Sequence, residues 1–368
     1  LWQRSNCDTP KTMRVLITGG AGFVGAALAH YFREGKGAEV VALDNLHRRG
    51  SEQNLASFAR VGIEFAHGDI RCPEDLTALR GNFDLLIEAS AEPSVHAGSG
   101  AEGDPSYLLR TNLWGTVNCL EFARKRAGSF VFLSTSRVYS MQPLRALPLR
   151  EEGGRFEINS DPLLLGASEY GIAESFATHL PRSLYGASKL ASEMLVQEYC
   201  AAYGLKAIIN RCGVIAGPGQ FGKVDQGVFT LWIAHHFFGL PLQYTGFGGK
   251  GSQVRDLLHP RDLFRLLSSQ VETSHSWAGE VFNVGGGKSI STSLSEWTKE
   301  AQRVSGRTVE MGASVATASV DIPWYLSDCR HVEKKFGWVP GISKEKIADE
   351  IMAWLKENER ALRPLFVR

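Results

Sequence analysis

Thr18-Gly19-Gly20-Ala21-Gly22-Phe23-Val24-Gly25 is the stretch on which the fold turns. The apolar run 14–18 enters it, and Val24, Leu28, Tyr31 and Phe32 then recur at helical spacing. Strand, glycine turn and helix in that order fit Gly-x-Gly-x-x-Gly over 20–25 and, counted from Gly19, the Gly-x-x-Gly-x-x-Gly variant. Glycine allows a tight turn, and its missing side chain lets a pyrophosphate approach the start of the helix. The next apolar run, 40–43, ends at Asp44. A carboxylate there accepts hydrogen bonds from adenosine ribose hydroxyls, which favours NAD over NADP. Arg48 and Arg49 lie just beyond, either as partners for a 2′-phosphate or as solvated loop charges.

Outward from the turn, short apolar runs keep alternating with helical patterns. Run 63–65 leads to Gly68-Asp69-Ile70, 85–87 to Ala89-Ser90-Ala91, 130–133 to Ser134-Thr135-Ser136, and 207–209 to Arg211. With 14–18 and 40–43 this makes six strands, and implies an α/β fold with a doubly wound parallel sheet of the Rossmann kind. Ligands of such sheets bind beyond the carboxyl ends of the strands. Past Arg211 come glycine-rich loops at 213–227 and 246–251, helical stretches at 228–238, 294–304 and 344–357, and a strand at 281–284 that returns to the sheet. The expected division is a nucleotide-binding domain over 13–211, its sheet completed by 253–284. A smaller C-terminal lobe takes 212–252 and 285–368. Residues 1–12 precede Met13 and read as an upstream extension.

The chain has 368 residues, 43% of them hydrophobic, enough for a large core. Net charge is +1, from 40 basic and 39 acidic residues, so no nucleic-acid or membrane surface is expected. The six cysteines are scattered and form no Cys-x-x-Cys, which fits a reduced cytoplasm. His235, His236 and His259 have no accompanying ligand set, so no metal is expected.

Tyr185 and Lys189 stand four residues apart in Ser183-Leu184-Tyr185-Gly186-Ala187-Ser188-Lys189. On a helix they share a face. A nearby ammonium favours the phenolate, so the spacing implies a tyrosine with a lowered pKa that exchanges a proton with a substrate hydroxyl.

These motifs occur in register with Asn112-Leu113-Trp114-Gly115-Thr116, Arg137-Val138-Tyr139 and Gln253-Val254-Arg255-Asp256. Over about 13–338 the chain resembles the extended short-chain dehydrogenases/reductases of the NAD-dependent epimerase/dehydratase group. Arg211-Cys212-Gly213-Val214-Ile215-Ala216-Gly217, the loop that follows to Gly227, and Gly249-Lys250-Gly251-Ser252-Gln253 are most similar to the CDP-paratose (CDP-tyvelose) 2-epimerases. The resemblance implies a nucleotide-sugar epimerase with bound NAD, working through a transient keto sugar, and a homodimer. Leu113, Val117, Leu120, Leu190 and Leu195 are then candidate contacts between subunits.

By the same resemblance Thr135, Tyr185 and Lys189 are catalytic. Gly19, Gly22, Phe23, Val24, Gly25, Asp44, Asn45, Asp69, Ile70, Ala89, Ser90, Ala91, Asn112 and Cys212, again with Tyr185 and Lys189, hold the cofactor. Ser94, Arg137, Gln220, Lys223, Gln226 and Arg255, with Thr135, hold the nucleotide-diphosphate sugar. Arg255 meets the pyrophosphate on this reading; the alternative is a structural ion pair with Asp256.

Two departures narrow the chemistry. Dehydratases of the group carry Asp-Glu after the Ser/Thr, where this chain has Ser136 and Arg137. Elimination of water would lack its acid and base. Val214 stands where many 4-epimerases and dehydratases have asparagine. The alternatives to inversion at carbon 2 are a 4-epimerase, another NAD-dependent nucleotide-sugar oxidoreductase, and a non-catalytic NAD-binding sensor. Glu88, at the end of an apolar run, receives no role. The segment 141–181 reads as a long loop forming a flap over the substrate.

Overall fold

The structure, a computed structural model, describes residues 12–98, 103–159, 164–221 and 227–367. In strand β1 (Arg14–Thr18) the run Val15-Leu16-Ile17 is fully buried. Successive strand residues point to opposite faces, so Val15 and Ile17 join one apolar cluster and Leu16 another. A strand apolar on both faces belongs inside a sheet covered by helices on both sides.

Along the chain follow α1 (Phe23–Lys36), β2 (Glu39–Asp44), β3 (Glu64–His67), β4 (Leu85–Glu88), α2 (Gly115–Arg126), β5 (Phe130–Thr135), α3 (Leu184–Tyr203) and β6 (Ala207–Cys212). Then come β7 (Val214–Ile215), α4 (Val228–Phe238), β8 (Val254–Leu258), α5 (Pro260–Val271), β9 (Glu280–Val284), β10 (Ser291–Ser293), α6 (Leu294–Ser305), β11 (Trp324–Tyr325) and α7 (Lys344–Glu357).

The central sheet has seven strands in the order β9-β6-β5-β4-β1-β2-β3. All its pairings are parallel, so the fold is the doubly wound sheet that the sequence implies. The chain winds outward from β1 to β3, then restarts at β4 on the other side of β1. Where the winding reverses, the loops leaving β1 and β4 part and open a crevice. One row across the sheet pairs Leu43, Thr18, Glu88, Phe132, Ile209 and Val281, and Glu88 is the one carboxylate in it.

β8 is the centre of a smaller sheet. It pairs with β7 and β11 in parallel and with β10 antiparallel. α4, α6 and α7 pack on one another around the buried indoles of Trp232 and Trp297. These donate to Thr298 Oγ1 and to the Phe229 carbonyl, each at 2.9 Å. α5 returns to the large sheet, where the Phe264 ring lies 5.5 Å from Tyr31 and 5.2 Å from Phe32 of α1.

The segment 141–181 departs from the long loop expected of it. It holds a helix at Met141–Arg145, a hairpin of Leu149–Glu152 with Arg155–Ile158, and a short ladder of Ala167–Ser168 with Gly171–Ile172. Leu144, Leu147, Ile172 and Phe176 share an apolar cluster with Trp324 and Tyr325 of β11. Each element has at most five residues, too few for a periodicity to declare itself.

Leu120, expected as a possible subunit contact, is fully buried inside the protomer. Trp114 on α2's approach and Met194 on α3 are among the exposed apolar side chains. Among the described residues no helix is long and apolar enough to cross a membrane.

Candidate active site

The crevice is a cleft of about 580 Å³. One end of it is the glycine turn. Gly19 has a φ of +65°, and a Cβ there would stand 2.8 Å from the Ser90 backbone. At Gly25 a Cβ would fall 2.1 Å from the Gly19 carbonyl oxygen. Backbone packed on backbone shuts side chains out of the turn. The first N–H groups of a helix have no partner within it, and Gly22 caps α1 without a side-chain hydrogen bond. Such a helix start suits a pyrophosphate, so the residues present fit a dinucleotide.

The Asp44 carboxylate accepts from the Ala21 N–H at 3.1 Å and the Leu46 N–H at 2.8 Å. Burial pushes its pKa up, and these donors pull it back. Asn45 donates to Asp69 at 2.9 Å, and Arg71 Nε reaches both oxygens of that carboxylate at 3.0 Å. Burial acts to raise Asp69, but Arg71 and Asn45 outweigh it and hold the carboxyl at about 2. Arg48 and Arg49 line the same cleft and donate to the carbonyls of Phe221 and Pro364, each at 3.3 Å.

At the other end Thr135 closes β5, in register with Cys212 of β6. Its Oγ1 accepts from the Arg137 N–H at 3.2 Å, capping a tight turn over Ser136–Val138, and the hydroxyl acts on the Tyr185 phenol, pulling its pKa down. Tyr185 lies in the first turn of α3, which Ser183 caps by accepting from the Gly186 N–H at 3.2 Å. A Cβ on Gly186 would meet the Arg137 carbonyl oxygen at 2.0 Å. The glycine lets α3 press against the turn after β5, and that approach joins Thr135 to Tyr185.

The lowered pKa expected of Tyr185 is corrected. The Tyr185 pKa is raised, not lowered. Burial pushes it up, while the Thr135 hydrogen bond and the charge of Arg137 pull the other way. Lys189 is only 2% exposed, with Nζ 3.8 Å from the Phe132 ring centroid. Burial lowers its pKa, and Glu88 and Glu193 support its charge. Four residues apart, the two share a helix face.

Glu88 is fully buried at the end of β4. Its Oε1 lies 2.6 Å from Thr116 Oγ1, which is also 2.8 Å from the Asn112 carbonyl. A hydroxyl has one proton to donate. It serves either the Glu88 carboxylate or that carbonyl, one at a time. Burial pushes its pKa up to about 7 despite Lys189 and Thr116. Asn112 lies in a wide helical turn, Arg110–Trp114. Its side chain accepts from the Glu92 N–H at 2.7 Å and donates to the Glu92 carbonyl at 3.0 Å, which fixes the loop leaving β4. Glu193 and Arg211 form a buried ion pair at 2.7 Å. The Cys212 thiol is pushed up to about 12 by burial and is inert as a nucleophile at neutral pH.

Arg255 of β8 donates to the carbonyls of Val254 and Ile322, each at 2.7 Å. Arg137 donates to the Val320 carbonyl and Arg145 to that of Ser319, each at 3.2 Å. Three arginines from three elements thus hold one strap of chain, 319–322. Asp321 of the strap is the counter-charge to both Arg137 and Arg255. Burial, and next the like charge of Arg137, push Arg255 down to about 9. Asp256 turns elsewhere, accepting from the N–H groups of Ser327 and Gly287 at 3.1 Å. Two guanidinium groups facing one carboxylate leave a surplus of positive charge that suits phosphate oxygens.

Of the residues singled out from sequence, Gly19, Gly22, Phe23, Val24, Gly25, Asp44, Asn45, Asp69, Ile70, Ala89, Ser90, Ala91, Thr135, Arg137, Tyr185 and Gln220 line the cleft. Asn112, Lys189 and Cys212 lie buried behind it. Ser94 and Arg255 are outside its lining. The Gln220 side chain is engaged within its own lobe, donating to the Ile215 carbonyl at 3.1 Å and accepting from Thr230 at 2.9 Å. Lys223 and Gln226 fall outside the described residues. Asp321 was not legible: a lone aspartate in a loop carries no spacing to read. His236 Nδ1 donates to the Trp232 carbonyl at 2.7 Å, and His259 caps α5. Among the described residues no group of three or more His, Cys, Asp and Glu is placed to hold a metal ion.

A turn shaped for a pyrophosphate puts this protein among the dinucleotide-binding enzymes, and Thr135 and Tyr185 line the same cleft beyond it. The chain belongs to the NAD dependent epimerase/dehydratase family, which residues 15–285 match, and its cofactor is NAD. It is 27% identical to the CDP-paratose 2-epimerase of Salmonella typhi over 93% of this chain and 99% of that one. It is 32% identical to the dTDP-glucose 4,6-dehydratase of Salmonella typhimurium, over 74% of this chain and 72% of the other. Among solved structures it is similar to the dTDP-glucose 4,6-dehydratase DesIV of Streptomyces venezuelae with NAD and TYD bound. That match has a TM-score of 0.76 at 27% identity and covers 96% of this chain and all of the other. The UDP-glucose 4-epimerase of Thermus thermophilus with NAD matches with a TM-score of 0.73 at 25% identity, over 94% and 99%.

Proposed function

We propose that the protein is a nucleotide-sugar epimerase that inverts carbon 2 of the sugar, on a substrate of the CDP-paratose kind. The observation that carries this reading is the sequel to Thr135. Relatives divide between epimerases and dehydratases. Here a serine and an arginine follow the threonine where dehydratases need an acid and a base, and Arg137 lines the cleft beside Tyr185. Elimination has no proton donor or acceptor at that point; reversible oxidation of a hydroxyl needs no acid–base group besides Tyr185.

In this reading the glycine turn and α1 take the NAD pyrophosphate, Asp44 the adenosine ribose, and Asp69 and Ile70 the adenine side. Ala89, Ser90, Ala91 and Asn112 shape the wall opposite, and Lys189 and Cys212 back the nicotinamide end. When bound, NAD accepts a hydride from the sugar carbon and returns it, so the reaction is redox-neutral overall. Tyr185 removes the proton of the sugar hydroxyl, and Thr135 holds the reacting oxygen. The keto sugar then presents its other face, and Tyr185 gives the proton back. Arg255 meets the diphosphate, while Ser94, Arg137 and Gln220 border the sugar. The same reading pairs two copies of the chain through the faces of α2 and α3, near Trp114 and Met194.

The test is incubation with CDP-, GDP- and UDP-glucose followed by proton NMR of the products. A mannose-type product is expected. A galactose-type product would move the reaction to carbon 4, and a keto-deoxy product would restore the dehydratase.

A further inference from the structure

Glu88 is an acid that the proposed chemistry leaves idle, in a place where an acid is costly. It is fully buried at the carboxyl end of β4. One carboxyl oxygen lies 2.6 Å from the Thr116 hydroxyl; the other, Oε2, has no hydrogen-bond partner among the described residues. A buried polar atom without a partner destabilises a fold, so packing alone gives no reason for a carboxyl here. The sheet register supplies one. Glu88 pairs with Phe132 of β5, and residues paired across a sheet point to the same face. The Phe132 ring lies against the Lys189 ammonium, with Nζ 3.8 Å from its centroid. The helices over that face meet at one carbonyl: that of Asn112 accepts from Ser192 of α3 at 2.9 Å and lies 2.8 Å from the Thr116 hydroxyl of α2. Carboxyl and ammonium therefore share one buried face of β4 and β5, beneath α2 and α3.

We propose that Glu88 is a positioning residue for Lys189, the counter-charge that keeps its side chain an ammonium behind the cleft. This rests on the epimerase reading, in which Lys189 backs the nicotinamide end, and gives that lysine the partner it acts with. The ionisable groups that face Lys189 are Glu88 on β4, Glu193 on α3 itself, and the thiols of Cys212 at the end of β6 and Cys119 on α2. Burial holds both thiols protonated at neutral pH. Glu193 is already paired with Arg211 at 2.7 Å. Glu88 has Lys189 as the cation that acts on it.

The sign follows directly. Burial pulls the Lys189 pKa down and Glu88 supports it. Burial pushes Glu88 up to about 7, so its carboxylate is charged over the alkaline range in which a lysine gives up its proton. Removing that charge makes Lys189 lose its proton at lower pH and draws the alkaline limb of the activity profile toward neutrality. Lys189 is titrated by NMR in the NAD-loaded protein with lysines isotope-labelled at Cε, and Lys189→Met identifies its resonance. Glu88→Gln, which keeps the shape and the Thr116 contact, is expected to lower the midpoint by about one pH unit. The alkaline limb of its kcat–pH profile should move by the same amount, with KM for the sugar little changed. Glu88→Asp, which keeps the charge, should return most of the shift. In the unaltered protein the Lys189 resonance should also step as Glu88 titrates, and that step is the readout if Glu88→Gln does not fold. An unmoved midpoint in Glu88→Gln, or a missing step where that is the readout, overturns the proposal. Lowered thermal stability with an unmoved midpoint does the same, since it would make Glu88 a structural residue only. Because the titration needs no substrate, it stands even if none of the nucleotide sugars is turned over, an outcome that would sink the epimerase reading alone.

Discussion

The two ends of the cleft are made of different material. The cofactor end is backbone: glycines at 19, 22 and 25, a bare helix start, and a wall at Ala89-Ser90-Ala91 that leaves no room for a Cβ on Gly19. The sugar end is side chains: Thr135, Arg137 and Tyr185, with Arg255 beyond and a carboxylate at 321 between the two guanidinium groups. A backbone site is rigid and generic, and every relative that uses the same cofactor can share it. A side-chain site is specific, and on the proposed reading Ser136 and Arg137 beside one threonine set the reaction it allows.

That contrast has consequences of graded size. At the sugar end, Tyr185→Phe should lower turnover by about a thousandfold, within the usual range for a lost acid–base group, and leave NAD bound. Steady-state assays and cofactor titration check it; near-normal turnover would remove the phenol from the chemistry. At the cofactor end the damage should be to binding. Gly25→Ala drives a Cβ into the Gly19 carbonyl, and should weaken NAD by at least about a hundredfold, roughly 2.7 kcal/mol, as read by cofactor titration with circular dichroism to follow the fold. Undiminished affinity would mean that the turn is not a backbone site. Smallest is the side-chain exception at that end. Asp44→Ala should cost about tenfold in NAD affinity, about 1.4 kcal/mol, and less for NADP, whose extra phosphate the carboxylate repels. Equal losses for both cofactors would argue against a ribose contact.

The same contrast explains what could be read from the sequence. The glycine turn, the strand after it and Asp44 are local, and local geometry leaves its mark in spacing. The doubly wound parallel sheet followed from the alternation of strands and helices. Tyr185 and Lys189 were found because a helix brings i and i+4 together, but spacing says nothing of burial, so the raised pKa of Tyr185 escaped notice. Glu88 looked out of place and is: buried, beside Thr116, in an otherwise carboxylate-free row. The segment 141–181 hid its short strands, and the strap gave no signal, because both are stabilised by partners far along the chain.

The strap also sets a limit on when the cleft can exist. Arg137 is tied to Val320 across 183 positions of sequence, and Arg145 to Ser319 across 174. The glycine turn needs only β1, β2 and the loop after β4. On a ribosome making the chain from its amino end, the cofactor end can close early, whereas the sugar end stays open until residue 322 has emerged. Contacts of such long separation are the slow ones in folding. On the proposed reading, the half of the site that meets the sugar is the half assembled last.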